Sequence, residues 1–249
     1  MKVLSLPDMK DSIKQLVRRI LILLRIPATK NLEYDIYTEK ILHKVLSKDS
    51  NCIDVGAHKG EILDLFIRFA PNGKHIAFEP IPALYKDLVN RYVNVEVYPY
   101  ALSTKEGKTT FNLVLDDPAY SGLQKRKYKT ETTKVELIEV EVRRMDDVLR
   151  DKNLKIDLIK IDVEGGEFDV LKGAVNILQN DHPILVFECG KGASEFYGTK
   201  PEDLFAFIAS HQYKVNTLKG FVKENASLNL AQFSQAFSSG SDYYFIASV

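Results

Sequence analysis

From residue 50 onward, short apolar runs alternate with stretches of helical periodicity. Asn51–Gly56 (NCIDVG) reads as a buried strand. Gly60–Ala70 carries apolar side chains at helical spacing and stops at Pro71-Asn72-Gly73. Lys74–Glu79 (KHIAFE) predicts a second strand, Pro82–Tyr92 a second helix and Val93–Ala101 (VNVEVYPYA) a third strand. Such a β-α-β-α-β run implies parallel strands joined by right-handed crossovers. The regularity then breaks. Thr109–Leu115 and Lys134–Val142 alternate as an inserted strand pair, separated by a polar stretch over 116–133 that is long enough to serve as a lid or binding loop. The pattern resumes with strand Lys155–Val163, a helix over Glu167–Gln179, strand Pro183–Glu188 and helix Pro201–Ser210. Strands Gln212–Thr217 and Asp242–Ala247 complete it. This is an α/β chain with seven core strands and an inserted pair.

Composition narrows the class. The 249 residues balance 34 Lys and Arg against 34 Asp and Glu, with 45% hydrophobic residues, as in an ordinary globular domain. No apolar run reaches the length of a spanning helix, and no signal-peptide pattern opens the chain. Two cysteines without metal or redox spacing fit a reducing compartment, so a cytoplasmic location is expected. Charge is unevenly distributed, however. Residues 1–30 hold seven basic and two acidic side chains, net +5, which leaves the remainder at net −5. Ile13, Leu16, Val17, Ile20 and Leu24 recur at helical spacing there, so residues 1–45 read as a basic amphipathic helical extension and 46–249 as the main domain. The extension fits packing on the domain or on a partner; residues 8–26 also fit weak peripheral contact with anionic lipid. The acidic remainder argues against nucleic acid as a partner.

Chemistry concentrates at strand ends. Asp54-Val55-Gly56-Ala57-His58-Lys59-Gly60 places a carboxylate and two glycines in the turn from the first strand into a helix, where backbone can approach a ligand closely. Glu79 ends the second strand, where an acid can accept hydrogen bonds from both ribose hydroxyls, so a ligand containing adenosine is expected. In Leu158–Glu167 (LIKIDVEGGE), Leu158, Lys160 and Asp162 share one strand face. A lysine inside an apolar parallel strand needs a carboxylate beside it, and Asp54 is a candidate. Asp162, Glu164 and Glu188 then emerge together at the ligand-bearing edge. Cys52 and Cys189 fall near opposite ends of the strands, too far apart for a disulfide.

At these residues the sequence resembles the FkbM-type methyltransferases, a branch of the class I S-adenosylmethionine-dependent enzymes. The resemblance rests on CIDVGAHKGE, IAFEPIP, YALS, VRRMDDVL, LIKIDVEGGEFDVLKGA and HPILVFE, which span roughly residues 50–190 in family order. It implies a Rossmann-like seven-stranded sheet in the order 3-2-1-4-5-7-6 with strand 7 antiparallel and helices on both faces. It also implies S-adenosylmethionine as cofactor and O-methylation of a hydroxyl on a sugar, glycan or secondary metabolite. By position, Asp54, Gly56, Ala57 and Gly60 would cradle the methionine part. Glu79, with Pro80 following it, would hold the ribose; Ala101, Leu102 and Ser103 would border the adenine. Asp162 would lie near the amino group. An alcohol needs its proton removed as it attacks. Glu164 is the favoured general base, with His58 and Glu188 as the other candidates. A divalent ion on the carboxylates is the less favoured way to activate the hydroxyl, and no metal is assigned. Residues 116–133 and 221–240 are expected to shape the acceptor site. Two other functions fit the same sheet: a nicotinamide-dependent sugar oxidoreductase and a non-catalytic nucleoside-binding scaffold. The first predicts a glycine at position 58 and a Tyr-x-x-x-Lys pair, and the sequence has neither.

Overall fold

The computed structural model describes residues 28–128 and 132–249, in two compact units divided between Val45 and Leu46. The basic amphipathic stretch at 8–26 lies outside the described residues. In the first unit, helix α1 (Lys30–Val45) begins where the Thr29 hydroxyl accepts the Leu32 N–H at 3.2 Å.

The second unit is built on a seven-stranded sheet. Its strands are β1 (Cys52–Val55), β2 (His75–Phe78), β3 (Val95–Tyr98), β7 (Leu158–Ile161), β8 (Ile184–Glu188), β9 (Lys214–Thr217) and β10 (Tyr244–Ser248). They lie in the order β3-β2-β1-β7-β8-β10-β9, with β10 antiparallel to both neighbours. This is the expected 3-2-1-4-5-7-6 arrangement. Every residue of β1, β2 and β7 is buried, and alternate side chains point to opposite faces, so both faces are covered. The helices α2 (Glu61–Phe69) and α3 (Pro82–Arg91) make the first crossovers, and α4 (Met145–Leu149), α7 (Pro201–Ser210) and α8 (Leu218–Val222) lie further along the chain. Chain direction along the sheet reverses between β1 and β7, and the crevice outside their carboxyl ends is where such sheets bind ligands.

Three details differ from the sequence pattern. The third strand does not run through to Ala101. Pro99 has no N–H to continue the ladder, and the chain leaves the main sheet there. Tyr100–Leu102 instead forms β4, parallel to β6 (Val135–Arg143), which pairs antiparallel with β5 (Gly107–Val114). The expected inserted pair is therefore a three-stranded sheet. The helix expected over Glu167–Gln179 is two helices, α5 (Glu167–Lys172) and α6 (Val175–Asn180). They part at Gly173, where a Cβ would stand 2.4 Å from the Ser103 carbonyl oxygen. The described part of the 116–133 stretch folds back on β5. Ser121 Oγ accepts the Val114 N–H at 2.9 Å, and Asn112 and Gly122 form a bridge. Both cysteines are free and buried. No helix among the described residues is long and apolar enough to cross a membrane.

Candidate active site

The turn after β1 is shaped by left-handed backbone at Gly56 (φ 78°), His58 (φ 47°) and Gly60 (φ 79°). At Gly56 the requirement is also steric: a Cβ would stand 1.9 Å from the Asp162 carbonyl oxygen, because the turns after β1 and β7 touch there. This places His58 over the end of β2. Its N–H donates to Glu79 Oε2 at 2.8 Å, and the Ile81 N–H donates to Oε1 at 2.9 Å. Glu79 is thus buried and fixed by two backbone donors. Burial raises its carboxyl above the usual range despite those bonds.

A buried ion network lies across β1 from Glu79. The β1–β7 register sets Asp54 opposite Lys160. Lys160 Nζ lies 3.6 Å from Asp54 Oδ1 and 3.4 Å from Asp162 Oδ2, so the lysine has carboxylates on both sides. Burial pushes Asp54 up to about 6, against the pull of Lys160. Lys160 itself rises to about 12: burial alone would lower it, and the two carboxylates outweigh that. Asp162 also receives the Tyr244 hydroxyl and is hydrogen-bonded to Glu188. Burial opposes its ionisation, yet Lys160 and these donors hold its carboxyl below the usual value. Glu188 moves the other way, raised well above its usual value by burial and by Asp162. The two shifts run in opposite directions, favouring the charge on Asp162 and the proton on Glu188.

Glu164 follows in the same turn, at φ 59°, and is ion-paired with Arg126 of the inserted stretch. One oxygen each of Asp162, Glu164 and Glu188 lies within 4.8 Å of the others, as a cation site requires. Lys160 and Arg126 already place positive charge against this cluster. Of the expected bases, Glu188 is raised toward its protonated form by burial and by Asp162, and Glu164 is ion-paired with Arg126. His58 has Nε2 buried without a hydrogen-bond partner, and its Nδ1 lies 3.9 Å from Glu61.

These turns bound an open cleft whose empty volume is about 660 Å³, mouth included. Of the residues picked out from sequence, Gly56, His58, Glu79, Pro80, Ala101, Leu102, Asp162 and Glu164 line it. Asp54, Ala57, Gly60, Ser103 and Glu188 do not; Asp54 lies fully buried behind Lys160, and Gly60 precedes α2. Ile81, Tyr100 and Phe111 make one side apolar, and Pro118, Ala119, Ser121 and Leu123 bring the inserted stretch to the wall. Residues 221–240 do not line it. There Phe233 and Phe237 of helix α9 (Leu230–Ser239) are buried in the core, and Tyr197 takes part in the wall instead. Arg126, Tyr197 and Tyr244 carry no sequence signal of their own. Only the pairing of Tyr244 with Glu188 across β10 and β8 brings the hydroxyl to Asp162.

Known proteins share sequence and fold with this chain. The family model for the methyltransferase FkbM domain matches residues 54–215. Methyltransferase sdnD of Sordaria araneosa is 31% identical over 153 residues, covering 49% of this chain and 59% of that protein. Methyltransferase 1 of Beauveria bassiana is 26% identical over 158 residues, covering 55% of this chain and 62% of that protein. A crystal structure of methyltransferase FkbM from Methylobacillus flagellatus KT shares the fold at a TM-score of 0.50 and 17% identity. That match covers 96% of this chain and 60% of the other. The chain thus spans less than two thirds of the length of each of these relatives.

Proposed function

We propose a reaction for this chain from one premise: it belongs to the FkbM methyltransferase family. The reading is S-adenosylmethionine-dependent O-methylation of a small-molecule or glycan hydroxyl. The observation that carries it is the cleft itself. It joins a buried acid fixed by two backbone N–H groups, an ionised acid, and an apolar slot.

Those residues fit the cofactor. Glu79 uses one lone pair of each oxygen on backbone and keeps others for two ribose hydroxyls. Tyr100, Ala101, Leu102 and Phe111 offer the apolar surface an adenine needs. Asp162, kept anionic by Lys160 and Tyr244, suits the α-ammonium group. When bound, S-adenosylmethionine supplies a methyl group on a sulfonium, whose sulfur keeps the electron pair as the acceptor oxygen gains the methyl carbon.

The chain's own work is alignment, water exclusion and proton removal. Pro118, Ala119 and Leu123 add apolar wall to the slot, which favours exclusion of water once ligands fill it. We assign proton acceptance to Glu164, the cleft carboxylate that leaves β7 beside Asp162; Arg126 is its partner at rest.

Calorimetric titration with S-adenosylmethionine and S-adenosylhomocysteine tests the cofactor. Micromolar binding of both is expected, weakened about tenfold or more in Glu79→Ala by loss of charged hydrogen bonds. Radiolabelled methyl transfer to a hydroxyl panel tests the reaction. The label should survive mild alkali, as an ether does and a methyl ester does not. Failure of both adenosyl ligands to bind would overturn the reading.

A further inference from the structure

Glu164 lines a cleft meant for a neutral hydroxyl, yet it is ion-paired with Arg126, which stands just behind the cleft wall. Arg126 lies on the inserted stretch, and its side chain is only 16% exposed. The stretch packs against the turn that carries Glu164: the Cβ position at Gly122 is 3.7 Å from Glu164 Cβ. The guanidinium carbon sits 5.3 Å from the centre of the Tyr120 ring. Glu164 accepts from Nη1, while Nε is buried with no hydrogen-bond partner. A half-buried guanidinium whose buried Nε donor is unmatched, beside a cleft carboxylate that accepts from Nη1, is poorly explained as a structural pair. The planar fork of arginine matches an oxyanion through two parallel donors, and buried polar donors are seldom left unmatched.

We propose that Arg126 is the acceptor-recognition residue of this site, and that the acceptor bears a carboxylate or phosphate close to the hydroxyl that is methylated. This rests on the methyltransferase reading above and names its substrate class. Glu164 is the counter-ion that holds Arg126 in place while the site is free of acceptor. An arriving oxyanion takes the fork and releases Glu164. The freed carboxylate then accepts the hydroxyl proton as the hydroxyl oxygen takes the methyl group, and the electron pair of the broken carbon–sulfur bond stays on sulfur. The same exchange discriminates against neutral alcohols, which cannot displace Glu164 from the guanidinium.

The test compares glucuronate and glucose 6-phosphate with glucose, by calorimetry or saturation-transfer NMR on the full chain, with and without S-adenosylhomocysteine. The charged probes should bind about tenfold or more tightly than glucose, as expected of charge-assisted hydrogen bonds. Whichever gains more identifies the group. Arg126→Gln should abolish the preference while leaving S-adenosylhomocysteine affinity intact, which also reports that the variant is folded. Arg126→Lys should keep part of it. Glu164→Gln should strengthen binding of the charged probes, because their internal competitor is gone, even as methyl transfer falls. Equal binding of charged and neutral probes, no binding of either charged probe at millimolar concentration, or a preference that survives Arg126→Gln overturns the proposal. Failure of the unaltered chain to bind S-adenosylhomocysteine tells against the methyltransferase reading instead, and the probe comparison without it still decides the role of Arg126.

Discussion

Glu167 opens α5 fully buried, and its Oε1 accepts the N–H groups of both Val163 and Gly165 at 3.0 Å. That oxygen fixes the turn on which Asp162 and Glu164 reach the cleft. Burial pushes the carboxyl up to about 7, although the backbone donors pull it down. The folded chain therefore binds a proton here that the unfolded chain releases near its ordinary value of 4.5, so this residue's contribution to stability declines as pH rises from there through about 7. Glu167→Gln keeps an oxygen acceptor and removes the charge. It should flatten that slope and gain stability relative to the parent above pH 7. Glu167→Ala leaves two buried N–H groups without a partner and should cost about 1–3 kcal/mol at any pH. Urea unfolding at pH 5 and pH 8 separates the two. An unchanged pH slope in Glu167→Gln would assign the titration elsewhere.

Whether an element was legible in the sequence depended on how local its cause is. Strands β1, β2, β7 and β8 are buried runs bounded by turn residues, and Glu79 and Asp162 follow from them as acids at strand ends. The departure of β4 was not legible, because what captures Tyr100 is residue 141, far along the chain. Arg126 and Tyr244 reach the site through an inserted stretch and a long-range antiparallel pairing, which no local pattern encodes. The break between α5 and α6 is of the same kind. Gly173 has an ordinary helical φ of −82°, so its backbone would accept any residue; what excludes a side chain is the Ser103 carbonyl 2.4 Å from the Cβ position. Alanine favours helix over glycine by about 1 kcal/mol, whereas overpacking costs about 1–3 kcal/mol. With backbone rather than a flexible side chain in the way, the steric cost should win. Gly173→Ala is expected to lower the urea midpoint without changing the slope. A raised midpoint would show that β4 and α5 can slide apart freely.

At the scale of the whole sheet, the two ends of the strands do different work. The carboxyl ends carry the turns after β1, β2, β7 and β8 that build the cleft, while the amino ends only close the core. The two free cysteines sample both ends: Cys52 begins β1, and Cys189 follows the last residue of β8. Burial raises both thiols above their ordinary value, so neither is reactive while covered, and labelling reports opening. Cys52 sits in the centre of the sheet, between β2 and β7, and is exposed only when the core comes apart. Cys189 is covered by the loop that follows it; Ser194 bonds back to Gly190 at 3.1 Å and lies 3.9 Å from the Cys189 sulfur. A loop of this kind opens at a lower free energy than the sheet does. In native buffer a thiol reagent should therefore modify Cys189 faster than Cys52, with single Cys→Ser variants assigning each rate. Saturating S-adenosylhomocysteine should slow Cys189 through local closure of the cleft edge, and slow Cys52 only by its effect on global unfolding. Equal rates for both thiols, rising together with urea, would mean that the cleft edge has no opening of its own and the sheet unfolds as one cooperative unit.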